Sequence, residues 1–222
     1  MNKYNDHKNL EGKHAYCGCS QSTWMNRDDE QLVKMYYSRY ASEVGTAIHA
    51  LAKYCIDNRI KLRKTDDHVI DIWLRVVWPN LEKEGGSFIP IGAYDSKELI
   101  DTLSLFVNDA IGYRLDSEVV LSYDDLYTFG TADAISCNEK TKEIIVHDLK
   151  TGDHPVKMTQ LMLYAAYYCL EYNKNPHEYK FTTRVYQKGQ IIEYNPTSDE
   201  IKEHMQVAVH ATDTLRKYVE RV

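Results

Sequence analysis

The chain has 222 residues, 43% of them hydrophobic and 27% charged. That is enough for one sizeable core and too little for two full domains. With 27 basic against 33 acidic residues the net charge is −6, which argues against a large non-specific phosphate footprint while leaving room for a small local one. Apolar runs such as 144–146 and 161–166 fall far short of a membrane span, and the polar start has no apolar core of a secretion signal, so a cytoplasmic protein is expected.

Residues 1–30 read as irregular, with Trp24 as their one aromatic anchor. Ser42 is a plausible N-cap for a helix over about 43–58, with Val44, Ile48, Leu51 and Cys55 on its apolar stripe and His49 within it. Asn58 and the basic run 59–64 end that helix. A second helix is expected over about 66–84 on Val69, Ile70, Trp73, Leu74 and Val77, kinked or ended by Pro79. Gly85-Gly86, Pro90 and Gly92 keep the following stretch non-helical. Ser96 caps a third helix over about 97–112.

The period then changes. Stretches 117–122, 127–136 and 143–150 read as strands, with a polar turn over 138–142. A loop with Pro155 leads into a helix reaching about Tyr172; 181–187 and 190–194 form a hairpin about Lys188-Gly189; Ser198 caps a final amphipathic helix. Five cysteines, 17, 19, 55, 137 and 169, make an odd, scattered set. They fit free buried thiols in a reducing compartment better than a disulfide framework.

The chemistry concentrates in 129–164. Side chains alternate across a strand, so Ile144, Val146, Asp148 and Lys150 share one face, with the two polar residues at its end. The short turn makes 127–136 the antiparallel neighbour, which lets Asp133 approach Asp148. Two carboxylates that close repel unless a cation holds them, and Mg²⁺ or Mn²⁺ suits oxygen ligands with waters left over. Such an ion ionises a bound water and steadies a phosphoryl group in transfer, while Lys150 can hold the attacking water or neutralise the phosphate. A plain Asp148–Lys150 surface salt bridge, with Asp133 in a turn, is the competing interpretation. Gln160 and Tyr164, four apart on one helical face, reach the lysine or the substrate backbone, or simply pack. His49 lies one turn after Gly45, where something can approach the helix closely; it is a ligand or a satisfied core histidine.

Gly45-x-x-x-His49, Gly130-Thr-Ala-Asp133, Asp148-Leu-Lys150-Thr-Gly152 and Gln160-x-x-x-Tyr164, in that order over about 40–170, resemble the RecB-like branch of the PD-(D/E)XK nuclease superfamily. The likeness is greatest to small phage exonucleases and the nuclease domain of Cas4-type proteins. The resemblance implies an α/β fold, a central mixed β-sheet flanked by helices on a restriction-endonuclease-like core. One nuclease domain would span 1–222, with an irregular segment over 1–40 and a C-terminal hairpin and helix over 180–222. It assigns His49, Asp133, Asp148 and Leu149 to the metal, and Asp133, Asp148, Lys150, Gln160 and Tyr164 to catalysis.

It also implies Mg²⁺ or Mn²⁺, DNA as substrate, and work beside an annealing protein, recombinase or helicase. A dimer or ring encircling DNA would help a net-acidic enzyme stay on its track. Many relatives carry an iron–sulfur cluster on one N-terminal and three C-terminal cysteines; nothing lies beyond Cys169 here, so none is expected. Asp148, where Cas4-type relatives often have Glu, leans towards the RecB and phage enzymes. Glu118 could join the site, although a solvated edge position is the plainer expectation. The 59–64 run, Lys157, the Arg184–Lys188 strand, Trp24 and the tyrosines are candidate DNA contacts.

Overall fold

The computed structural model describes residues 17–78 and 94–219, with isolated positions 5, 8 and 15. Pro79, Gly85-Gly86, Pro90 and Gly92 lie outside the described residues.

A short 3-10 turn over Cys19–Asn26 leads to helix α1, Asp29–Asp57. Helix α1 therefore starts well before the expected cap at Ser42. Its true start is a capping box: Asp28 accepts from the Gln31 amide at 2.8 Å and Gln31 returns the bond to the Asp28 amide, with Asp29 and Glu30 in the first turn. No described residue of α1 before Tyr40 is buried, so a search for apolar period sees only the second half. From there Tyr40, Val44, Ile48, Leu51, Cys55 and Ile56 form one stripe. Arg59, at φ 55°, ends the helix in the left-handed conformation, with the Ile60 amide on the Cys55 carbonyl at 2.8 Å.

The expected helix over 66–84 is α2, Asp67–Ile72, continuing into a wide π turn, Trp73–Val77. The buried Trp73 indole donates to the Ala47 carbonyl of α1 at 2.7 Å and fixes the packing of the two helices. Helix α3, Ser96–Tyr113, is capped by Asp95 rather than Ser96, its carboxylate accepting from the Lys97 and Glu98 amides. Strands β1 (Asp116–Asp124), β2 (Thr128–Asn138) and β3 (Glu143–Lys150) form a meander. Helix α4, Thr159–Glu171, starts later than Pro155 and carries the chain over to β4, Lys180–Gln187, which pairs parallel to β3. The β4–β5 hairpin (β5, Gln190–Tyr194) turns on Lys188 and Gly189, both at positive φ. Helix α5 is Ser198–Val219; Thr197, not Ser198, exchanges bonds with Glu200 at its start.

The sheet order is β1-β2-β3-β4-β5, mixed, with only the β3–β4 pair parallel. Helices α1, α2 and α3 pack with Ala134, Ile145, Leu149 and Tyr186 on one face, while α4 and Ile201 of α5 pack with Leu121, Ala132, Val146 and Val185 on the other. Helices on both sides bury the central strand completely between its ends, so polar His147 and Asp148 enter the interior with it. Cys55 and Cys169 are buried, and burial pushes their thiols up to about 11 and about 12. Cys17 and Cys19 are exposed, against the expectation of buried thiols, because the segment carrying them rests on the surface. Among the described residues no helix is long and apolar enough to cross a membrane.

Candidate metal centre

Three secondary-structure elements converge on one cleft of about 770 Å³, walled by Thr46 and Lys53 of α1, Trp78, Thr131 and Thr151. Helix α1 reaches the end of β3 because Gly45 has no side chain: a Cβ there would stand 2.9 Å from Thr151 Oγ1. One turn later His49 enters the cleft. Its Nδ1 lies 3.4 Å from Asp133 Oδ1 on β2 and 4.0 Å from Glu118 Oε1 on β1. One ligand atom from each of His49, Glu118 and Asp133 falls within 4.8 Å of the others.

Glu118 does lie on an edge strand of the sheet, but half-buried in the cleft rather than solvated. Continuing the β1–β2 register past Ser117↔Ala134 places Glu118 beside Asp133, and a left-handed backbone at φ 49° interrupts the strand there. Glu is unfavourable in that conformation, a local strain of about 1–3 kcal/mol that a packed sheet must hold in place. Strand alternation could have put Glu118 on the list of site residues; its backbone conformation has no signal in the sequence.

Asp133 is fixed from the other side, its Oδ2 accepting the Leu149 amide at 2.7 Å. The Leu149 side chain, a hydrocarbon with no ligand atom, is buried in the core, so only its backbone could reach a metal. Asp148 lies outside the trio that meets within 4.8 Å. It pairs instead with Lys150, whose Nζ donates to Oδ1 at 3.1 Å and stands 2.9 Å from Oδ2. The Lys150 ammonium thus faces both oxygens of the buried carboxylate. The Lys150 ammonium also donates to Gln160 Oε1 at 3.1 Å, and Gln160 Nε2 donates to the Tyr164 hydroxyl at 3.0 Å. Gly130 makes room for that tyrosine, since a Cβ there would meet its ring at 3.0 Å. All the residues singled out in the motif set thus lie in one connected neighbourhood, and Gln160 and Tyr164 do more than pack.

The charges are mutually tense. Burial, then the Asp133 charge, pushes the Asp148 carboxyl above the usual carboxylate range, against Lys150 and His49. Burial and Asp133 likewise raise Glu118, against His49 and Lys53. Burial alone would lower His49, but its bond to Asp133 and the charges of Asp133, Glu118 and Asp148 outweigh it, and the imidazole stands above its ordinary value. Acids crowded until they resist ionisation, beside an imidazole that meets two of them, fit a small doubly charged ion with oxygen and imidazole ligands.

The candidate nucleic-acid contacts divide into those engaged within the fold and those left exposed. Arg184 is spent on Asp109 at 3.3 Å, Glu193 at 2.7 Å and the ring of Tyr113, and Lys188 on Asp153 at 2.6 Å. In the 59–64 run Leu62 is buried, its backbone bonded both ways to Asn108, while Arg59, Lys61, Arg63 and Lys64 are exposed. Trp24 is tied to the Gly18 carbonyl. Lys157 remains exposed.

A family model described as the PD-(D/E)XK nuclease superfamily matches residues 14–222. A search of curated proteins finds no match.

Proposed function

Because the chain belongs to the PD-(D/E)XK nuclease superfamily, we propose that it is a metal-dependent DNA exonuclease, of the RecB-like, phage-recombination type. The observation that carries this reading is the junction of two groups: the His49–Glu118–Asp133 trio and the Asp148–Lys150–Gln160–Tyr164 chain. His49, Glu118, Asp133 and Asp148 would hold Mg²⁺ or Mn²⁺, and Leu149 could join only through its carbonyl oxygen. When bound, the ion supplies an ionised water and charge stabilisation on the phosphoryl oxygens.

The chain's own residues do the rest. Lys150 lies between Asp148 and Gln160 with its side chain partly exposed, and can hold an attacking water or meet a phosphate oxygen. Gln160 and Tyr164 fix the direction of its amine. The Leu149 amide and the imidazole of His49 hold the Asp133 carboxylate in one orientation. In this reading the chain works as a single nuclease domain in the cytoplasm, on DNA ends produced in recombination, repair or phage replication. An annealing protein, recombinase or helicase, or a second copy of the chain, would keep it on its track.

End-labelled linear duplex, linear single strand and closed single-stranded circle, each with Mg²⁺, Mn²⁺ or EDTA, test the proposal. Linear DNA should be degraded from its ends, closed circles spared, and EDTA should stop all cleavage; cutting of the circle makes the enzyme an endonuclease. Asp148→Ala and Lys150→Ala should each remove cleavage with the circular dichroism spectrum unchanged. Full activity in both variants refutes the assignment.

A further inference from the structure

The cleft floor does not stop at the metal centre. Thr131 lines the cleft with His49, Glu118 and Asp133, and strand alternation turns Phe129 to the same side. The intervening positions face the other layer: Ala132 packs with Leu161 and Ala165 of α4, and Gly130 abuts Tyr164. Across the ladder Val120 stands opposite Thr131 and Ser122 opposite Phe129, so Val120 and Phe129 are diagonal neighbours on one face. Both lie open, Val120 at 60% and Phe129 at 58% exposure.

A single exposed apolar residue is ordinary. Here an aromatic ring and a branched aliphatic lie side by side, among the neutral hydroxyls of Ser122 and Thr131, in continuity with a cation-binding cleft. The Phe129 ring is suited to a flat, uncharged face, while the far end of the same surface suits a phosphate. A nucleotide strand offers both together only where its bases are unpaired, since a duplex keeps base faces inside its own stack. From Asp133 back to Phe129 is about 13 Å of strand, the length of three or four stacked nucleotides at about 3.4 Å each.

We propose that Phe129, backed by Val120, is a stacking platform for unpaired bases of the strand whose phosphodiester reaches the metal centre. The substrate is then single-stranded DNA or a frayed end. The proposal rests on the nuclease reading for its orientation, and the two can fail separately.

The test combines anisotropy of a labelled oligothymidylate in EDTA with cleavage of linear single strand and blunt duplex in Mn²⁺, using the full chain. Phe129→Ala should weaken oligothymidylate binding roughly five- to 150-fold and raise KM on single strand by a like factor with little change in kcat. Phe129→Trp should restore both. In the wild type, one abasic residue three or four nucleotides from the cleaved bond should reproduce the defect, and in Phe129→Ala it should add nothing. Unchanged single-strand binding in Phe129→Ala, an equal loss on blunt duplex, or a shift in the sedimentation of the free protein would each overturn the platform; the last would make this face a contact between copies. A wild type that binds oligothymidylate through Phe129 but cuts no DNA sinks the nuclease reading and leaves the platform standing.

Discussion

His147 and Asp148 are neighbours on β3, both almost wholly buried, and they face opposite layers of the molecule. On the His147 side the polar groups close on one another. Tyr186 donates to Asp109 at 2.8 Å and lies 3.2 Å from His147 Nδ1, and Arg184 adds a bond to Asp109. With the hydroxyl proton given to Asp109, Nδ1 must carry the imidazole proton, leaving only the bare Nε2 lone pair without a partner. Burial, and then the Arg184 charge, holds this histidine neutral, down to about 3. On the Asp148 side the acids are set against one another, and burial with the Asp133 charge keeps the Asp148 carboxyl raised even with the Lys150 ammonium 2.9 Å from its Oδ2. A buried network that closes serves stability; one whose acids still repel with an ammonium in place is held ready for a further cation.

Asp148→Asn should break the comparison most sharply. It removes a charge that burial and Asp133 already disfavour, so in EDTA at pH 7 the unfolding free energy from urea titration should hold or rise by up to about 1 kcal/mol. Cleavage should fall about a thousandfold or more. A variant that loses stability yet keeps cutting reverses the assignment of this face.

Tyr186→Phe is the mirror experiment. It strips the hydroxyl from between Asp109 and His147 without changing the shape of the core. We expect a loss of about 1–2 kcal/mol by urea unfolding, from the His147 Nδ1–H left without an acceptor while Asp109 keeps its bond from Arg184, and an unchanged kcat at 25 °C. A fall in kcat would mean that the two faces of β3 are coupled.

The same histidine gives the pH dependence its sign. His147 has a depressed folded pKa of about 3, whereas in the unfolded chain it takes up a proton near 6.5. Its contribution is therefore complete above about 6.5 and is lost as pH falls through that window, at about 1.4 kcal/mol per pH unit. His147→Phe should flatten that part of the stability curve; an unaltered slope would remove His147 as its source.

Legibility from the sequence follows the same division. Strand β3, the hairpin turn and the burial of α1 from Val44 onward could be read because alternation, turn residues and helical period are local signals. The motif residues were legible as a set. The start of α1 was not, since a capping box begins a helix whose first turns bury nothing. Nor was the Tyr186–Asp109 bond, made between residues 77 apart in sequence. The charge of Arg184 reads as available to DNA until the fold supplies Asp109 and Glu193. Glu118 needed a register and a left-handed residue, and neither is a composition signal.

The smallest expected effect lies where the two faces share a backbone. Gly45 costs α1 about 1 kcal/mol relative to Ala in helix propensity, yet an alanine Cβ would stand 2.9 Å from Thr151 Oγ1, just past Lys150. In Gly45→Ala the propensity gain and the displaced hydroxyl oppose each other, so the melting temperature should barely move. The push falls on the segment that carries Lys150, and cleavage should drop about two- to fivefold, less than 1 kcal/mol of barrier. Adding Thr151→Ala removes the obstructing oxygen and should restore the rate while keeping the gain in helix stability. If the double variant stays as slow as Gly45→Ala, the glycine serves something other than the approach of α1 to the end of β3.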